Sequence, residues 1–147
     1  MKKIIFLMFF CSTNVFSDEL VKLKCTVDST SSYNFTNKII KKTGDAYIEI
    51  NDYGFQKLIF IDSNIEGINS LSFSTKEDKS KYSFDDKGWE IFGTNKNKGF
   101  TQEKHIKIDR NSGKIFLNTI DTNKDNDMMY INTFGSCEKI DTTKKKF

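Results

Sequence analysis

Apolar and polar positions alternate along most of this chain, and the helical period is nearly absent. From Leu20 to Val27 the residues Val21, Leu23, Cys25 and Val27 fall on one face and Lys22, Lys24 and Thr26 on the other, the mark of a half-buried strand that points Cys25 inward. Tyr33 to Lys42 is a weaker strand pattern. Thr43-Gly44-Asp45 reads as a break before Ala46 to Asn51, and Asp52-Tyr53-Gly54 as a turn into Phe55 to Asp62. Within that last stretch Leu58-Ile59-Phe60-Ile61 is apolar on both faces, which predicts a central or doubly covered strand.

A loop around Gly67 spans Asn64 to Ser70 and precedes a strand at Leu71 to Thr75. The charged run Lys76-Glu77-Asp78-Lys79 predicts a solvated turn into Lys81 to Asp85. Asp86-Lys87-Gly88 reads as a hairpin with Gly88 in the left-handed region, leading into Trp89 to Gly93. Asn95 to Gly99 is a further turn before Phe100 to Asp109. Arg110-Asn111-Ser112-Gly113 closes a hairpin into Lys114 to Ile120, and the last strand lies within Met129 to Lys139. About 8–9 short strands with regular turn signals predict an all-β, antiparallel small barrel or sandwich.

The first residues add a destination. Lys2 and Lys3 precede the apolar run Ile4 to Cys11, and a polar stretch ends in Val15-Phe16-Ser17, the layout of a secretory signal peptide cut near Ser17-Asp18. The apolar run is far shorter than the roughly 20 residues of a membrane-spanning helix. The expected organisation is a signal peptide over 1–17, one β domain over 18–141 and a disordered basic tail over 142–147, with no transmembrane segment after processing. Removing the signal removes Cys11 and leaves Cys25 and Cys137, near the two ends of the domain. In an exported chain these predict a disulfide that joins the first strand to the last.

Charge narrows the partners. The 23 Lys and Arg become 21 without Lys2 and Lys3, against 20 Asp and Glu, so no basic excess remains to neutralise phosphates and nucleic acid is not an expected partner. The ten phenylalanines outside the signal fall mostly at strand positions and are expected in the core. Tyr53, Trp89 and Phe92 are the candidates for aromatic contact with a ligand, at a barrel mouth or on a stacking platform.

Catalytic signals are missing. His105 is the sole histidine, and alternation puts it opposite Ile106 and Ile108 on the outer face. No G-x-S-x-G elbow accompanies it, and the carboxylate pairs Asp85-Asp86 and Glu77-Asp78 sit in turns. No catalytic residue is assigned. Asp121, Asn123, Asp125 and Asp127 place oxygens at alternate positions, as in the first half of a calcium loop, but Asn126 and Asn132 stand where the glycine and bidentate glutamate belong. Calcium is thus a weak-site alternative to a polar hairpin, and no other cofactor is expected. Asn34-Phe35-Thr36 forms a glycosylation sequon, read as chance in a chain whose Met-Lys-Lys start looks bacterial.

The segment His105 to Lys114, with its Ile108-Asp109-Arg110-Asn111-Ser112-Gly113 hairpin, and the later Gly135-Ser136-Cys137-Glu138-Lys139 resemble small exported bacterial proteins of unknown function. The resemblance implies a small extracytoplasmic β domain and no activity. Asp109, Arg110 and Gly113 carry its structural turn, with Gly113 allowing the bulge and Asp109 and Arg110 able to hydrogen-bond across it. The expectation is a periplasmic or secreted, non-enzymatic monomer that binds or inhibits a macromolecule, or carries a small apolar ligand. A calcium-binding structural protein is the alternative, and a hydrolase is the least favoured reading.

Overall fold

The computed structural model describes residues 19–34, 39–53, 56–75 and 81–140. The signal-peptide region with its cut before Asp18, most of the Asn34-Phe35-Thr36 sequon and the basic tail lie outside them.

Nine strands follow one another: β1 (Glu19–Tyr33), β2 (Ile40–Tyr53), β3 (Gln56–Ser63), β4 (Leu71–Ser74), β5 (Lys81–Phe84), β6 (Gly88–Asn97), β7 (Phe100–Asp109), β8 (Lys114–Asn123) and β9 (Met128–Lys139). They form one antiparallel sheet in the order β4-β3-β2-β1-β9-β8-β7-β6-β5, curled into a half-barrel. Two meanders run outward from the central β1–β9 pair. There Cys25 stands directly opposite Cys137, and the two form the expected disulfide. No helix among the described residues is long and apolar enough to cross a membrane.

The disulfide joins the first and last strands, but the staple does not close a barrel. The seam lies at the other side, where β4 and β5 are the two sheet edges, each four residues long. Short edges offer little backbone for a stray strand to pair with. Across the seam, Lys104 of β7 donates to the Ser72 carbonyl at 2.7 Å, with its ammonium 5.3 Å from the centre of the Phe73 ring.

The inner face holds the core. Val21, Leu23, Cys25 and Val27 of β1 meet Ile48 and Ile50 of β2, Ile59 and Ile61 of β3, Ile91 of β6, Ile106 and Ile108 of β7, and Leu117 of β8. Isoleucine dominates because a β-branched side chain packs well on a pleated surface. The Asn64–Ser70 loop folds across one end and buries Ile65 and Ile68. At that end the wall turns polar, with Ser29, Lys104, Thr119 and Thr133 buried and Thr133 donating to the Ser29 hydroxyl at 3.0 Å.

Several sequence expectations need correction. β2 runs unbroken through Thr43-Gly44-Asp45. Gly44 is there for close approach, since a Cβ would stand 2.4 Å from Asn64 Oδ1 and 2.9 Å from Ile65 Cγ1 in the loop that covers it. Gly88 does not take the left-handed conformation; it opens β6, where a Cβ would meet the Ile108 carbonyl oxygen at 2.2 Å. The turn before it is held by Asp85, whose Oδ1 accepts the Lys87 and Gly88 amides. β3 is not doubly covered, because Phe60 faces outward and is exposed. Most strikingly for the core, only Phe73 among the described phenylalanines is fully buried. The inward positions are filled mostly by isoleucine, leucine and valine, and Phe60, Phe92 and Phe134 stand on the opposite, exposed face.

Candidate functional site

The missing phenylalanines are found outside. On the outer face of β6 to β9, Phe92, His105, Phe116 and Phe134 make a continuous row of rings across four strands. The register explains it: Phe92 faces His105 across β6–β7, and Phe116 faces Phe134 across β8–β9, with a diagonal step from His105 to Phe116. Centroids are 5.9, 5.4 and 5.2 Å apart along the row, within the range of edge-to-face and tilted aromatic contact. Phe92 is 45% exposed and Phe134 56% exposed. The outer face of an antiparallel sheet ordinarily alternates to polar residues, so an exposed ring row departs from the rule.

Charged and amide groups border the rings. His105 Nε2 lies 2.7 Å from Glu90 Oε1, and Lys107 Nζ lies 3.5 Å from Glu90 Oε2. Burial raises the pKa of the Glu90 carboxyl, but the His105 hydrogen bond and the Lys107 charge outweigh it and leave the group below its usual value. Asn118 donates to Asn132 Oδ1 at 2.8 Å beside the row. Open depressions flank the two ends. One of about 500 Å³ is bordered by Phe116, Phe134, Asp28, Lys107 and Lys114. The other, about 480 Å³, is bordered by Phe92, His105, Glu90, Tyr82 and Lys81.

His105 is on the outer face, as alternation indicated, and half-buried. Its partners are one carboxylate and two rings; no serine or threonine hydroxyl bonds to it among the described residues. Of the candidate contact aromatics, Phe92 heads the exposed row. Trp89 turns inward instead and is buried beneath Arg110, whose guanidinium lies 4.0 Å from its ring centre. Tyr53 ends β2, and its side chain lies outside the described residues.

Side-chain oxygens of Asp121, Asn123 and Asp127 accept hydrogen bonds from within the chain. Asp121 accepts Gln102 Nε2 at 2.8 Å, and Asn123 Oδ1 accepts the Asp125 and Asp127 amides. Asp127 accepts the side-chain amides of Asn34 and Asn123, and its carboxyl is held below the usual range by hydrogen bonds from Asn34, Tyr33 and Asn123. Among the described residues no three His, Cys, Asp or Glu side chains converge as a metal site.

The hairpin of Asp109, Arg110 and Gly113 is tightly made. Asp109 Oδ1 accepts the Asn111 and Ser112 amides and the Ser112 hydroxyl, Gly113 has a φ of 66°, and the Gly113 carbonyl accepts the Cys137 amide. Arg110 lays its guanidinium over the Trp89 ring beside this turn.

The ring row was missed because each phenylalanine adjoins an inward isoleucine, leucine or threonine, which makes the local run look wholly buried. The available signal was parity: Phe92, His105, Phe116 and Phe134 all fall opposite the inward positions of their strands.

No family model matches the chain, and no curated protein matches it. Among solved structures, it is similar to the monomer form of the M. tuberculosis PknI sensor domain at 10% identity, covering 86% of this chain and 97% of that one, with a TM-score of 0.42, too low to carry an argument.

Proposed function

We propose that this chain is an exported, non-enzymatic binding module that engages a protein partner through the outer face of β6 to β9. The exposed row Phe92–His105–Phe116–Phe134 carries the proposal. Its layout, rings at the centre and Glu90, Lys107, Lys114 and Asp28 around them, matches the aromatic core and polar rim of protein interfaces. The face is broad and its flanking depressions are open, which suits a macromolecule better than a small ligand, whose sites are concave and enclosing. The Cys25–Cys137 bond supports export, because such bonds persist in oxidising compartments.

Photo-crosslinking in the living host tests this reading. A photoreactive phenylalanine analogue replaces Phe134 in one strain and exposed Tyr47, on the outer face of β2, in another. The expected result is a discrete crosslinked species from position 134 only, lost when Phe92→Ala is added. A crosslink equally strong from position 47, or one indifferent to Phe92→Ala, would overturn the proposal, as would none from position 134.

A further inference from the structure

The two ends of the half-barrel differ. The Asn64–Ser70 loop covers one, while the other, beside the disulfide, opens into a depression of about 220 Å³. Its floor is apolar, formed by Val21, Leu23, Trp89 and Ile108, and its rim carries Arg110 and Lys139. Lys139 faces Leu23 in the β1–β9 register and so shares the parity of the inward positions. Both cations therefore stand at the mouth of an apolar interior.

We propose that this mouth binds a small organic anion with an apolar body, such as a medium-chain carboxylate. Three observations converge on that chemistry. The floor offers hydrocarbon and an aromatic ring to an apolar body. Among the described lining residues Arg110 and Lys139 are the cations and Asp109 is the acid, with its Oδ1 already taken by three donors of its own hairpin. The third is Trp89: its Nε1 is buried with no hydrogen-bond partner, the sole such side-chain atom found among the described residues. A buried donor without an acceptor is unfavourable, and a carboxylate drawn into the depression that this ring lines brings acceptor oxygens to it. The volume is below that of sites for drug-sized molecules, which limits the ligand to a short chain or a single ring. The site is separate from the aromatic row, and neither reading depends on the other.

Trp89 is the only tryptophan in the chain, so its emission reports on the site directly. Octanoate, octanol and octylamine are titrated into the oxidised protein below their micelle-forming concentrations. Octanoate is expected to change the emission saturably, octanol to bind about tenfold more weakly, and octylamine not to bind. Arg110→Gln disturbs the ring it covers, so Lys139→Gln, which leaves that stack intact, is the deciding variant; it should weaken octanoate about tenfold. Phe92→Ala with Phe134→Ala should leave the response unchanged. A response absent for octanoate, equal for octylamine, or unaltered by Lys139→Gln would overturn the proposal.

Discussion

His105 Nε2 lies 2.7 Å from Glu90 Oε1, and the same imidazole is packed edge-to-face with Phe92 and Phe116. The pair thus ties the electrostatics of the outer face to its ring row. Because the Glu90 carboxyl titrates lower in the folded chain, its contribution is fully present above the ordinary value near 4.5 and lost as pH falls through the depressed value. Glu90→Gln should lower the melting temperature at neutral pH, and the difference from the natural chain should vanish in acid. Thermal unfolding monitored by circular dichroism across that range checks it; a difference that persists in acid would assign the loss to packing.

The Cys25–Cys137 bond closes nearly the whole domain into one loop. Replacing both cysteines by serine should lower the unfolding free energy by about 2–5 kcal/mol, mainly by releasing the unfolded chain. Urea unfolding of the two forms measures this. Since β1 and β9 remain laddered from Leu23 to Tyr33, the reduced chain should keep its strand content at low urea.

Gly88→Ala should be costly although the residue has an ordinary backbone conformation. Its Cβ would lie 2.2 Å from the Ile108 carbonyl oxygen, and backbone cannot swing aside as a side chain can. A loss of roughly 1–3 kcal/mol is expected. An unchanged urea midpoint would show that β6 and β7 separate more freely than their register suggests.

Ile68 tests the covered end of the half-barrel. It is buried within the loop that packs over the core, and Ile68→Ala should cost about 2–5 kcal/mol. Backbone amides of that loop should then exchange faster with solvent, with those at the central β1–β9 pair changing least.

The strand pattern was legible from residues alone. Alternation from Val21 to Val27 aimed Cys25 inward, and the structure sets it against Cys137. Where reading failed, it failed at glycines and rings. Gly44 looked like a chain break, because a sequence does not distinguish a glycine that permits a turn from one that admits a neighbouring loop. Phe116 and Phe134 looked like core, because hydrophobicity predicts burial whichever face of the sheet a ring stands on.

By itself the sequence determined the all-β class, the positions of most strands, the pairing of the two cysteines and the outward face of His105, since these follow from local periodicity and from how few cysteines there are to pair. Only the tertiary structure decided that the sheet stays open between β4 and β5, that four rings from four strands meet in one row, and that Arg110 covers Trp89 at the open mouth. Each of these depends on the register between strands and on the curvature of the sheet, which are set by contacts between residues far apart in the chain.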